Sequence, residues 1–162
     1  MTEVQPAGGG ATFERAGPEH AELLLEMMRE FYAHERLAWD EEWARRGLGA
    51  LLGDAALGEA WVVRRGGAAA GYFVLTAGFS LEFRGRCLLL DELYVRGEHR
   101  GSGAGREAMR VAEEACRARG AHALRLEADR GNPRVQAFYR GLGFRDHGRD
   151  LLTRWIPPAA EG

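Results

Sequence analysis

Two adjacent carboxylates, followed by a run of arginines and glycines, are the residues of this chain most suited to chemistry. Both lie in Leu88 to Gly105, LLLDELYVRGEHRGSGAG. An apolar run carries Asp91 and Glu92, breaks into the loop Arg100-x-x-Gly103-x-Gly105, and gives way to a helical pattern from Arg106 to Arg119. Strand, glycine loop and helix in that order form a cradle for a phosphate-like anion. The glycines let backbone N–H groups approach it, and the helix points its positive end at it. The acids call for a separate explanation. From Cys87 to Val95 both alternating faces are apolar except at Asp91 and Glu92, the pattern of a strand covered on both sides. A carboxylate there is costly unless it is paired or opens onto a cleft. Adjacent strand residues point to opposite faces, so one of the two reaches a given site unless the strand bulges. At a cleft, a carboxylate can attract an alkyl ammonium or take its proton, whose removal costs roughly 4–5 kcal/mol at pH 7 for a pKa of about 10.4. The structural counterpart is a buried bridge to an arginine.

The elements that must position these residues follow from spacing. Ala11 to Ala16 reads as a first strand. Pro18 suits a helical first turn, and Leu24, Leu25, Met28, Phe31 and Tyr32 carry that helix to about His34. Asp40 is an N-cap for a second helix, Glu41 to Leu52, which Gly47 and Gly49 weaken. Ala60–Arg65 and Ala69–Gly78 are strands joined at Gly66-Gly67, and Arg86–Val95 is the next. The helix after the loop has Ala104, Ala108, Val111, Ala112 and Ala115 on one face, with Glu113 and Arg117 set to pair on another. Gly120 ends it, Ala121–Ala128 is a strand, and Asn132 caps a short helix that starts at Pro133. Phe144 to Ile156 reads as one or two closing strands. The order β-α-α-β-β-β-α-β-α-β-β describes an α/β fold (α+β, mixed sheet). Residues 11–156 are expected to form a single domain between flexible tails at 1–10 and 157–162.

Composition excludes several classes. The chain has 162 residues and a net charge of −2, so a nucleic-acid partner is not implied. No apolar run approaches the ~18 residues needed to span a bilayer, so no membrane role is expected. The N-terminus lacks the basic and apolar regions of a secretory signal. Cys87 and Cys116 read as buried small hydrophobes rather than a disulfide or metal pair, which points to a cytoplasmic protein. The histidines show no metal-binding spacing. Lysine is absent altogether, which removes P-loop NTPase and pyridoxal-phosphate chemistry.

A second motif complements the first. Asn132 to Phe144, NPRVQAFYRGLGF, places Tyr139 seven positions after Asn132 and Gly143-Phe144 at its end. With these two motifs the chain resembles the GNAT superfamily of N-acetyltransferases over about residues 11 to 156. The resemblance implies the acyl-CoA N-acyltransferase fold, with acetyl-CoA as cosubstrate and no metal. The amides of Gly101, Ser102, Gly103, Ala104, Gly105 and Arg106 would hold the pyrophosphate, with charge from Arg100. Leu93, Tyr94 and Val95 would pair with the pantetheine arm and polarise the thioester carbonyl. Asn132 would hold the pantetheine or cap its helix. Tyr139, protonated at neutral pH, would be the general acid for the departing thiolate. Polyamine acetyltransferases of this fold have an acid matching Asp91, and some ribosomal-protein acetyltransferases have one matching Glu127. Asp91 or Glu92 is favoured as the base over Glu127, whose structural alternative is a pair with Arg125 or another arginine.

By the same resemblance, the acceptor end is built from the first two helices and the turn before the central strand. The sequence there offers Glu30, Phe31, Tyr32, His34, Glu35, Trp39, Phe79 and Glu82. Acids mixed with aromatics suit a cationic amine on a small molecule or peptide. Polyamine, aminoglycoside, amino acid and protein N-terminus all remain open as acceptors. Homodimers are common in the fold, and no residue locates an interface. The alternative reading is a non-catalytic acyl-CoA-binding or regulatory module. The anion reading makes a direct prediction: coenzyme A raises the melting temperature and ATP does not. The reverse order in a thermal-shift titration would remove it.

Overall fold

The computed structural model describes residues 3–4 and 10–157. In chain order these form β1 (Glu3–Val4), β2 (Thr12–Arg15), a 3-10 turn at Pro18–His20, α1 (Ala21–Glu35), α2 (Glu41–Gly53), β3 (Gly58–Arg65), β4 (Ala68–Ser80) and β5 (Gly85–Val95). A second 3-10 turn at Gly97–His99, α3 (Ala104–Ala118), β6 (Ala123–Leu126) and α4 (Pro133–Gly141) follow. The chain divides into two compact units, up to Glu127 and from Ala128 onward.

The first unit is a mixed sheet in the order β1-β2-β3-β4-β5-β6. Its strands are antiparallel as far as β5, and β6 is parallel to β5. A parallel pair needs a crossover, and α3 supplies it. Gly66 and Gly67 both have positive φ (57° and 81°), as the tight β3–β4 hairpin requires. The apolar stripe read on α3 is buried, and Arg117 pairs with Glu113 at 3.2 Å on its exposed side. The helix after Pro18 begins as 3-10 and becomes α at Ala21. Asp40 caps α2 by accepting from the Trp43 amide at 3.0 Å.

Core residues lie on both faces of the sheet. Leu24, Leu25 and Met27 of α1 and Leu48 of α2 pack with Val62 and Tyr72. Each fully buried aliphatic side chain contributes about 1.5–3 kcal/mol. Trp61 and Phe73 point to the opposite face, where their rings stack at 5.9 Å. Glu59, two residues from Trp61 and only 7% exposed, accepts there from Trp61 Nε1 (2.9 Å) and Arg119 Nε (3.0 Å), with Arg15 at 3.4 Å. Arg119 also donates to the carbonyls of Ala55 (2.8 Å) and Gly58 (3.0 Å), tying the end of α3 to the start of β3.

β6 is shorter than the expected Ala121–Ala128, and it pairs with β5 only over Cys87–Leu90. Among the described residues, β5 from Asp91 onward has a strand partner on its β4 side alone. Glu3–Val4 pairs with β2, although that segment was expected to be a tail. The other residues of the expected tails, except Gly10 and Pro157, lie outside the described residues.

In the second unit, α4 is capped as expected, with Asn132 Oδ1 accepting from the Val135 amide at 3.2 Å. The closing strands expected over Phe144–Ile156 do not form. Asp146 Oδ1 accepts from the Gly148 amide at 2.7 Å, and Gly148 has φ 67°, so the chain turns where a strand would run. Apolar residues beyond the turn, Leu151, Leu152, Trp155 and Ile156, are exposed. An apolar pattern makes a strand only where a sheet edge accepts its hydrogen bonds.

Cys87 and Cys116 are free and buried, and burial pushes the Cys116 thiol up to about 11. Among the described residues no helix is long and apolar enough to cross a membrane. Nor does any group of three or more His, Cys, Asp or Glu there suit a metal ion.

Replacing Glu59 with Ala removes the carboxylate that Arg119 Nε, Trp61 Nε1 and Arg15 share, leaving the Trp61 N–H without its acceptor and Arg119 with its carbonyl bonds alone. The expected cost is about 3 kcal/mol, read as a lower urea midpoint. An unchanged midpoint would show that Glu59 does not tie α3 to the sheet.

Candidate active site

A cavity of about 590 Å³ opens in the first unit between α1, α2 and the sheet. Met28 and Tyr32 of α1 form one wall, and Ala38, Trp39 and Asp40 of the α1–α2 linker form another. On α2 the lining residues are Trp43, Ala44, Gly47, Leu48 and Leu51, at the spacing of one helical face. Leu57, Val74 and Thr76 lead to the floor, where Asp91 and Glu92 both line the space.

Both acids reach one cavity because β5 bulges. Its register against β4 runs Val74↔Glu92 and then Leu75↔Leu90, which leaves Asp91 as the extra residue. A bulge of this kind re-aims a side chain that regular alternation would send to the other face. Neither acid meets an arginine. Glu92 Oε1 accepts from Tyr32 OH and Oε2 from Tyr72 OH, both at 2.9 Å. Asp91 opens to the cavity and makes no hydrogen bond or ion pair with the described residues. Desolvation raises its pKa. Desolvation also raises the pKa of Glu92, outweighing the two tyrosine hydrogen bonds, and the Asp91 charge adds to the rise. Burial first, and then the Glu92 charge, push the phenols of Tyr32 and Tyr72 up, so both stay protonated donors.

The loop after β5 is held in place from several sides. Arg96 donates to Glu30 through Nε (2.9 Å) and Nη2 (2.7 Å), and to the Ala69 carbonyl (3.1 Å). This pair holds the Glu30 carboxyl below its usual range. Arg65 donates to the Ser102 carbonyl at 3.1 Å. Arg100 Nε donates to the Val95 carbonyl at 2.9 Å, with its guanidinium 5.8 Å from the centre of the Tyr94 ring. Gly101 and Gly103 have φ of 72° and 88°, a conformation that favours glycine. The amides from Gly101 to Arg106 take part in none of the backbone hydrogen bonds outside the helices, and Ala104, Gly105 and Arg106 open the first turn of α3. Gly103, the N-cap, supplies no side-chain cap. This donor set fits a phosphate-bearing ligand.

In the second unit, Tyr139 packs between Phe138 (5.1 Å between ring centres) and Phe144 (5.7 Å). Burial raises its pKa. Its hydroxyl has no hydrogen-bond partner among the described residues.

Of the acceptor residues read from the sequence, the structure brings Tyr32 and Trp39 to the cavity. Phe31 instead packs against Tyr72 and Tyr94. Glu30 is committed to Arg96. His34 and Glu35 are exposed at the end of α1, 3.8 Å from one another. Phe79 and Glu82 lie at the β4–β5 hairpin tip and do not line the cavity, because that hairpin runs past the end of β3. Glu127 is exposed, just beyond β6, and does not line the cavity either. Sequence reading missed Tyr72, which meets Glu92 only through cross-strand register, and the cavity face of α2 around Trp43. The apolar periodicity of α2 was the available signal for the second.

A family model described as "Acetyltransferase (GNAT) family" matches residues 27–144. No curated protein sequence matches the chain significantly. Among solved structures, an integron cassette protein from the mobile metagenome of Cole Harbour Salt Marsh is 33% identical, covering 90% of this chain and 91% of its own, with a TM-score of 0.80. A predicted acetyltransferase from Clostridium acetobutylicum, solved with acetyl-CoA, is 15% identical (coverage 89% and 96%, TM-score 0.76). An aminoglycoside acetyltransferase from an uncultured soil metagenomic sample, in complex with trehalose, is 14% identical (coverage 94% and 99%, TM-score 0.74).

The environment of Asp91 has a consequence for stability. Its pKa is higher folded than unfolded, so its charge costs stability above the folded value. That cost disappears as pH falls through the raised value toward the ordinary Asp pKa of about 3.9. Asp91→Asn should therefore raise the melting temperature at pH 7.5 and lose the advantage near pH 4. A variant less stable than the parent at pH 7.5 would contradict this.

Proposed function

The chain belongs to the GNAT acetyltransferase family and is an N-acetyltransferase, and on that basis we propose that it transfers the acetyl group of acetyl-CoA directly to a primary amine held in the cavity over Asp91. The observation that carries this reading is the bulge, which brings an unpartnered carboxylate and a tyrosine-bound one to the same space.

Acetyl-CoA, when bound, supplies an activated acetyl thioester. The Gly101–Arg106 amides and Arg100 are assigned to its pyrophosphate, and the free edge of β5 at Leu93 to Val95 to its pantetheine arm. Asp91 draws in the ammonium and accepts its proton. A base with a raised pKa is better matched to that transfer near neutral pH than an ordinary Asp. Glu92 already has both oxygens taken by hydroxyls, so the proton transfer is assigned to Asp91 rather than to it. Glu127, away from the cavity, has no part in this assignment. Tyr139 is assigned the proton for the departing thiolate on its place in the second motif, and its raised pKa keeps the phenol protonated. Asn132 is assigned to its helix cap, with the pantetheine as a second role. A cytoplasmic location belongs to the same proposal, supported by two free buried thiols.

Three variants test the assignments in a thiol-release assay. Asp91→Asn and Tyr139→Phe should each lower kcat by about 10²–10⁴-fold, the usual range for loss of general base or acid. Gly103→Val, which forces a β-branched side chain into φ 88°, should weaken coenzyme A binding more than about tenfold by calorimetry with the fold intact. Unchanged kcat in Asp91→Asn or Tyr139→Phe would remove that residue from the mechanism.

A further inference from the structure

The cavity over Asp91 is more selective than a generic amine site. Along α2 and β4 its wall is largely apolar, and its carboxylates are Asp40, Asp91 and Glu92. Glu92 already accepts from Tyr32 and Tyr72, and Asp40 Oδ1 is engaged as the α2 cap. Thr76, the Tyr32 hydroxyl and the two indole N–H groups are the other polar groups of the lining, and Asp91 is the lining carboxylate that accepts from no donor among the described residues. An entering ammonium therefore finds in Asp91 a carboxylate with both oxygens open, beside apolar surface.

Two features of the wall indicate the rest of that molecule. Trp43 lines the cavity with 70% of its surface exposed, although its helix could have turned an ordinary polar residue outward there. Trp39 is fixed beside it, with Nε1 donating to Glu41 at 3.2 Å, the Tyr32 ring edge-on at 5.3 Å and the Arg29 guanidinium 5.6 Å from its ring centre. The Arg46 guanidinium lies 5.8 Å from the centre of the Trp43 ring, and the two indoles together form a surface for a flat apolar group. Gly47 lies mid-helix on the same face, and a Cβ there would meet nothing within 4 Å. No packing contact requires a glycine at that position, and its missing side chain widens the cavity. The volume, about 590 Å³, holds a ring system with a short side chain.

We infer that the acceptor is an amine carrying its ammonium on a short chain attached to an aromatic or similarly flat apolar body, with the ammonium on Asp91 and the body against Trp39, Trp43 and the open face at Gly47. This rests on the acyl-transfer reading of the same site. A polyamine and an aminoglycoside bring no flat apolar body to the two indoles, so neither gains that aromatic contact.

The test compares 2-phenylethylamine, spermidine and tobramycin in two independent measurements: acetyl-CoA-dependent thiol release, and calorimetric binding without acetyl-CoA. By both, 2-phenylethylamine should lead the other two by about tenfold or more, the scale of one well-placed aromatic contact. Gly47→Leu should raise KM for 2-phenylethylamine about tenfold while its melting temperature stays at that of the parent, which separates a blocked cavity from a damaged fold, and an unchanged KM overturns the placement of the aromatic body. A lead for spermidine or tobramycin in either measurement, or no binding of 2-phenylethylamine, overturns the inference and leaves acyl transfer standing. Absence of turnover with all amines and of coenzyme A binding overturns the acyl-transfer reading, while the calorimetric order still decides the amine class.

Discussion

Opposite Val74 and Leu75 of β4, strand β5 carries one residue more than its partner, and that residue is Asp91. Without the extra residue, alternation would hold Asp91 and Glu92 on opposite faces of the sheet. With it, both line one cavity, and the bulge falls where β6 stops pairing with β5. A bulge disturbs the ladder and a free strand edge leaves polar backbone groups unpaired, so the first unit gives up sheet hydrogen bonds at this point. The same two features set the geometry of the site: a carboxylate aimed into a cavity, and a stretch of β5 beyond its β6 pairing that leads to the glycine loop.

The rest of the first unit supports that arrangement. Glu92 is tolerated under the cavity because two phenols, one from α1 and one from β4, satisfy both of its oxygens. Asp91 has no such support, and burial raises its pKa uncompensated. A charge left unpaired in the fold reduces stability and is available to a cationic ligand. At the other end of β5, Arg96 binds Glu30 of α1 through two nitrogens, and Arg65 of β3 holds the Ser102 carbonyl. These contacts set the loop before any ligand arrives, so its amides need little rearrangement to meet an anion.

The opposite face of the sheet contributes rigidity rather than chemistry. Glu59, buried among Trp61, Arg119 and Arg15, joins three segments distant in sequence. It anchors the end of α3, the helix whose first turn presents the loop amides. The acid-bearing cavity and the buried ion cluster are thus on opposite sides of one sheet, and each holds one end of the machinery built on β5.

Much of this could be read from local signals. The α3 stripe, the Asn132 and Asp40 caps, the Gly66-Gly67 hairpin and the glycine loop depend on interactions within a few residues. Composition and order preserve such interactions whatever the tertiary context. The two motifs were enough to identify the family. What could not be read depends on pairing between distant segments. The bulge is a mismatch between β4 and β5, so neither strand reveals it alone. Tyr72 meets Glu92 across that same pair. Phe79 and Glu82, promising by type, sit at a hairpin tip because β4 and β5 run beyond β3. The apolar pattern of Phe144–Ile156 resembles a strand, yet a strand needs a partner's hydrogen bonds, and the chain turns at Asp146–Gly148 instead. Local sequence thus specified the elements and the glycine loop, through short-range hydrogen bonds and periodic burial. The position of the acids, their charge environment and the aromatic cavity above them came from long-range register, which no single segment encodes.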